Sequence, residues 1–178
     1  VNICATLLQL REQAEEISQG KHTIEVFDLS AGHLHKRTTL SDPLVVSPND
    51  VAAVGRDRLY VTNDHGYPKG FMRTIEEFGR LAVSNVVYFD GSRFSVAADG
   101  VTYANGINLS PDGSTVYVAS PTGLAVHVYD RDPDSGGLSF VESIDAGSGV
   151  GVPRSAAQPA RLASTAHNSA VLPLVQAA

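Results

Sequence analysis

NGINLSPDGSTVYVAS, residues 105–120, sets a short apolar segment, a Ser-Pro-Asp-Gly turn and a run of alternating Val and Tyr in immediate succession. Pro111 and Gly113 stand where a β-turn needs a fixed φ and a permissive one, so the stretch predicts a hairpin and SPDG is read as purely structural. The earlier stretch NDVAAVGRDRLYVTN, residues 49–63, follows the same plan, and both begin with Asn and carry a late Tyr. A second element recurs as IEVFDL at 24–29, NVVYFDG at 85–91 and AVHVYDRD at 125–132, each an apolar strand that ends in an aromatic residue and an Asp.

Between Thr23 and about Ile144 the chain is a series of short β-branched and aromatic runs separated by Gly, Pro, Asn and Asp. That texture predicts an all-β region of short antiparallel strands. The recurrence of two distinct elements at intervals of tens of residues predicts blades of a β-propeller, one four-stranded sheet per repeat. Residues 1–20 form an expected N-terminal helical segment: over 5–19, Leu7, Leu8, Ala14 and Ile17 fall at helical spacing among charges. Residues 21–150 form the expected partial propeller. Residues 151–178 are rich in Ala, Ser and Pro with no sustained period, which predicts an irregular tail of low order.

Composition narrows the function classes. An apolar fraction of 43% in 178 residues suffices for one domain with a hydrophobic core. A net charge of −6 with scattered Lys and Arg argues against nucleic acid as a partner. The lone Cys4 excludes an internal disulfide and a Cys-rich zinc site. No apolar run is long enough for a transmembrane segment, and the N-terminal stretch lacks the basic flank of a clear signal peptide, so no compartment is assigned. There is no G-x-S-x-G elbow, Walker loop or G-x-G-x-x-G, which disfavours serine hydrolase and nucleotide chemistry.

Oxygen-bearing side chains concentrate in three places: Asn49 and Asp50 in SPND, Asn63, Asp64 and His65 in TNDH, and Asn105 and Asn108 in ANGIN. These are hard donors of the kind calcium takes, and they suit zinc less well. Asn49 and Asn105 open equivalent hairpins, so two readings fit them: turn residues that cap their own backbone, or partners at one site on a propeller axis. His65 follows Asn-Asp at a strand end and precedes Gly66. It reads either as an acid, base or orienter at a mouth, or as a loop histidine satisfied by Asp64. His33 and His35 share one strand face but belong with Gly32, Lys36 and Arg37 to an expected exposed hairpin end. His127, between Val126 and Val128, reads as solvent-facing.

Taken together, SPNDVAAVG, YVTNDH and YANGINLSPDGSTVYVA resemble the paraoxonase/arylesterase family, six-bladed calcium-dependent propellers grouped with gluconolactonases and strictosidine-synthase-like proteins. The resemblance covers about residues 23–150. It implies a fold of two to three blades of the six, with Asn49 and Asn105 as ligands of a catalytic Ca2+ and Asp50 as ligand of a structural one. It further implies that Asp64 and His65 act in catalysis and that Tyr103 lines the substrate pocket. The family also takes ligands from an early Glu-Asp pair and a later Asp-Asn pair. Neither stands where expected here, before Thr23 or near Val150, so the expectation is a truncated form with an incomplete calcium shell.

The expected function is therefore calcium-dependent hydrolysis of a small-molecule ester or lactone. The alternatives are a non-enzymatic propeller fragment, self-associating through unpaired blade edges, and a related strictosidine-synthase-like or gluconolactonase-like enzyme.

Overall fold

The structure, a computed structural model, describes residues 3–5, 22–67, 70–79 and 81–147. Strands are β1 (Ile3–Ala5), β2 (Ile24–Ser30), β3 (His33–Leu40), β4 (Pro48–Ala53), β5 (Leu59–Asn63), β6 (Ser84–Phe89), β7 (Phe94–Val101), β8 (Ile107–Leu109), β9 (Thr115–Ser120), β10 (Ala125–Arg131) and β11 (Leu138–Asp145). One helix, α1 (Phe71–Gly79), lies between β5 and β6. The strands form three sheets in the orders β1-β2-β3, β4-β5-β6-β7 and β8-β9-β10-β11. Every pairing is antiparallel.

This is the nearly all-β partial propeller that the repeats predict. The two Asn-led stretches are the first hairpins of the four-stranded sheets, β4–β5 and β8–β9. IEVFDL, NVVYFDG and AVHVYDRD are β2, β6 and β10, in each case the strand before the last. The sequence repeat is thus a repeat of position within the sheet.

Packing explains why the middle sheet is apolar on both faces. Tyr60, Val86, Tyr88 and Val101 meet Ile107, Val116, Val118 and Tyr129 of the third sheet. Leu59, Val61 and Val87 turn the other way and meet Ile24 and Val45. Successive strand residues point to opposite faces, so a strand covered on both sides is buried throughout, as all five residues of β5 are. Each such apolar side chain contributes on the order of 1.5–3 kcal/mol. In β11, by contrast, Phe140, Val141 and Ile144 remain exposed.

Two polar pins fix the sheets. Asn63 is fully buried: its Oδ1 accepts from the N–H groups of Val46 (2.9 Å) and Ser47 (3.0 Å), and its Nδ2 donates to Leu44 O (2.8 Å) and Asn85 Oδ1 (2.7 Å). Its hydrogen-bonding capacity is spent on structure. Farther along β5, Tyr60 Oη donates to Gly136 O at 2.8 Å and accepts from Arg131 Nε at 3.1 Å, joining the middle sheet to the third.

Several expectations meet the structure directly. SPDG closes a turn in which Gly113 N–H donates to Ser110 O at 2.9 Å, with Gly113 at φ 70°. His33 and His35 are exposed beside the Ala31-Gly32 turn. His127 differs from its solvent-facing expectation: it is part-buried, with Nδ1 2.7 Å from Ser143 Oγ and its ring beside Phe140. The helix expected over 5–19 lies outside the described residues, apart from Ala5, which ends β1; the expected tail, 151–178, lies outside them as well. Helix α1 interrupts a region read from sequence as purely β. Among the described residues, no helix is long and apolar enough to cross a membrane.

Candidate functional site

The site forms where the first strands of the second and third sheets run side by side. Strands β4 and β8 are joined by Asp50, whose Oδ2 accepts the Ile107 N–H at 3.0 Å while Oδ1 accepts that of Val51 at 2.8 Å. Thr62 Oγ1 donates to Asn105 O at 2.6 Å and accepts the Asp50 N–H at 3.0 Å. Asp50 therefore clamps two blades together; a carboxylate retains further lone pairs beyond these two bonds.

Asn49 owes its placement to a break in the ladder. Pro48 pairs with Asn63 and Asp50 pairs with Thr62, so Asn49 is the extra residue of a β-bulge. A bulge re-aims the side chain of its unpaired residue and is a recurrent device beside active sites. The Asn49 Nδ2 group donates to Asp64 Oδ2 at 3.3 Å.

Asn105 is held by its backbone alone: its N–H donates to Ala119 O at 2.9 Å, and its carbonyl accepts from Thr62. No described residue hydrogen-bonds its side-chain amide. Asn108, by contrast, is exposed, and its Oδ1 caps the Leu109 N–H.

Asp64 and His65 leave β5 at the same end. Ser47 Oγ donates to Asp64 Oδ1 at 2.6 Å, and His65 Nδ1 lies 3.0 Å from that oxygen. His65 is buried, with side-chain exposure of 3% against 14% for Asp64. The acceptor on Nδ1 favours the Nδ1–H tautomer of a neutral ring, which makes Nε2 its basic nitrogen. The ring of Tyr103 meets that of His65 edge to face, at 5.1 Å between centroids and 72° between planes.

Tyr103 holds this position with φ at 56°, a left-handed conformation that a bulky residue adopts only when its surroundings impose it. Those surroundings are visible on either side. Ser120 Oγ donates to Thr102 O, and Ser84 Oγ, fully buried, accepts the Ala104 N–H at 2.8 Å while donating to Val101 O at 2.7 Å.

An open cleft of about 470 Å³ is lined by His65, Tyr103, Thr102, Thr122, Leu81, Arg73 and Glu76. Helix α1 supplies Arg73 and Glu76. The Glu76 carboxylate is buried and accepts the Gly66 N–H at 3.0 and 3.1 Å and that of Tyr67 at 3.3 Å. It thus fixes the loop that follows His65. Gly66 is required there, since a Cβ would stand 2.7 Å from Val83 O.

Sequence reasoning missed Ser47, Thr62 and Glu76. Ser47 opens SPND but carries no signal apart from its neighbours. Glu76 had one, because Phe71, Ile75 and Phe78 fall at helical spacing around it.

For a metal, the donors brought into this region are hard oxygens, from Asn49, Asn105, Asp50 and Asp64. They are of the kind calcium accepts. Among the described residues no group of three or more His, Cys, Asp or Glu converges on a point.

Comparison with known proteins gives the family. The arylesterase family profile matches residues 16–157. Rat serum paraoxonase/arylesterase 1 is 40% identical over 112 residues, 61% of this chain and 31% of the relative. Bovine serum paraoxonase/arylesterase 2 is 37% identical over 117 residues, covering 64% and 33% respectively. The chain spans about a third of the length of the curated relatives it matches.

Among solved structures, two proteins from Bacteroides fragilis and Bacteroides uniformis, each described as a candidate 6-phosphogluconolactonase, superpose with a TM-score of 0.50. They are 17% and 18% identical and cover 69% and 71% of this chain, and 33% and 34% of their own. At that identity the likeness concerns the fold. With the profile spanning most of the chain, this chain belongs to the arylesterase family.

Proposed function

We propose that the site serves calcium-dependent hydrolysis of a carboxylic ester or lactone, with Asn49 and Asn105 as ligands of the ion. The observation that carries this reading is Asn105: both backbone groups are pinned, its amide has no described protein partner, and it sits on the blade next to Asn49. A side chain built rigidly and left uncommitted is what a ligand-binding role requires. Asp50 holds the two strands in register and offers its remaining lone pairs to a second, structural ion. When bound, calcium supplies polarisation of the substrate carbonyl.

The protein's own groups have separate tasks. Asp64 holds His65 at Nδ1, and His65 Nε2 takes a proton from the attacking water and returns it to the departing oxygen, so that water is added across the broken C–O bond. Tyr103 keeps the imidazole from turning and presents an aromatic wall to the acyl or aryl group.

The test is hydrolysis of phenyl acetate and a simple γ-lactone by the 178-residue chain, with calcium and with a chelator. Turnover that the chelator abolishes and that Asn105→Ala removes supports the reading. Folded protein without turnover overturns it.

A second reading is favoured by the exposed Phe140, Val141 and Ile144 on β11: a binding fragment that self-associates with a second copy through this open sheet. A monomer in sedimentation at high concentration excludes it.

A further inference from the structure

Asp64 faces three donors at once. Ser47 Oγ and His65 Nδ1 share its Oδ1, at 2.6 and 3.0 Å, and Asn49 Nδ2 reaches its Oδ2 at 3.3 Å. A carboxylate offers no hydrogen to give, so the end of the Asn49 amide that faces it must be the NH2 group. The carbonyl end is thereby turned away from Asp64.

This matters because the two ends of an amide are nearly equal in size and differ only in hydrogen bonding. Asn49 lies in a bulge, where the ladder places its backbone off register but does not decide which end of the side chain faces inward. Turned one way it presents an acceptor to a cation, and turned the other way it presents two hydrogens.

The carboxylate is itself immobilised. The Asp64 N–H donates to Ser47 O at 2.9 Å, and the Ser47 N–H is held by the buried Asn63 Oδ1 at 3.0 Å. Ser47 and Asp64 are thus linked through both backbone and side chain.

We propose that Asp64 is a positioning residue with two outputs: it fixes Asn49 with its carbonyl oxygen as the outward-facing acceptor, and it holds His65 as the Nδ1–H tautomer, with Ser47 locking the carboxylate for both. The use of the oriented acceptor for calcium rests on the reading proposed above. The orientation itself does not.

The experiment takes the full chain and compares it with Asp64→Asn, Asp64→Ala and Ser47→Ala by two measurements. Nitrogen-detected NMR of the His65 ring and of the Asn49 side-chain amide reports tautomer and amide protection. Calorimetry reports calcium affinity. In the wild type, the Nδ1–H tautomer and a slowly exchanging Asn49 amide are expected. In Asp64→Asn, which keeps the shape but adds a donor, both signatures are lost and calcium binds about 10–100-fold more weakly, the usual effect of removing a group that orients a metal ligand. Ser47→Ala moves both in the same direction by a smaller factor.

Should Asp64→Ala fail to fold, Asp64→Asn and Ser47→Ala decide the question. Wild-type signatures that persist in Asp64→Asn overturn the proposal. A wild-type chain that binds no calcium but loses both NMR signatures in Asp64→Asn supports the positioning role and removes only the calcium reading.

Discussion

Tyr103 rests its ring edge against His65, 5.1 Å between centroids, from a backbone φ of 56° that a tyrosine rarely adopts. The strain, on the order of 1–3 kcal/mol, is held in place by the serines on either side, Ser84 and Ser120. Asn tolerates the left-handed region far better than Tyr. Tyr103→Asn is therefore expected to keep the melting temperature within a few degrees of wild type and, on the hydrolase reading proposed above, to lower turnover of an aryl ester. Thermal unfolding and steady-state kinetics on one preparation check both halves.

The clamp between the second and third sheets gives a pair of opposed expectations. Tyr88 Oη is buried with no described partner, whereas Gly136, at φ 73°, sits so close to the Tyr88 ring that any Cβ would overlap it. Tyr88→Phe removes an unsatisfied polar atom and is expected to leave stability unchanged or raise it by about 1 kcal/mol. Gly136→Ala forces both overlap and backbone strain and is expected to cost about 3 kcal/mol or more. Urea unfolding monitored by tyrosine fluorescence distinguishes them.

Asn63 tests the other pin. Its side chain makes four hydrogen bonds in a fully buried position, so Asn63→Ala leaves several backbone groups unsatisfied. A loss of about 3–5 kcal/mol is expected. Because Asn63 anchors Ser47, the variant also releases the Asp64 carboxylate, and on the calcium reading proposed above calorimetry is expected to show weaker calcium binding even at temperatures where the chain remains folded.

Acid sensitivity follows from two turns. Backbone N–H donors from Arg93 and Ser92 hold the Asp90 carboxyl at about 2, and donors from Ser110 and Ser114 hold Asp112 at about 2, against an ordinary 3.8. A pKa lowered in the folded state means the unfolded chain binds the proton more readily. The contribution is present above 3.8 and is lost as pH falls through about 2. Asp90→Asn with Asp112→Asn is expected to lower the melting temperature near pH 7 and to flatten its decline between pH 4 and 2, so that variant and wild type converge near pH 2.

How much of this was legible in the sequence depends on whether a residue's role is local. The repeated strands were, because IEVFDL, NVVYFDG and AVHVYDRD carry a side-chain pattern fixed by position in a sheet. The SPDG turn was too, because its geometry is set within four residues. Asp64, His65 and Tyr103 were named through resemblance, and the structure brings them together. Asn63 was grouped with oxygen donors, yet its amide is consumed by loop backbone from Leu44 to Ser47, a partnership that exists only after the chain returns on itself. Helix α1 escaped because its nine residues repeat the helical spacing of Phe71, Ile75 and Phe78 barely twice among strand-like runs. Which side it buries was not legible either, since Phe71 and Phe78 are 77% and 87% exposed while its charged Glu76 is buried.

The unequal covering of the three sheets has a consequence for how the molecule comes apart. Since every residue of β5 is buried while seven of the eight in β11 are exposed, local opening is expected to begin at the β10–β11 rim and to reach β5 only with global unfolding. Amide protons of Tyr60 through Asn63 would then exchange at the slowest rate in the chain. The carboxylate of Asp64, one residue past that protected strand, is carried by the part of the molecule that yields last.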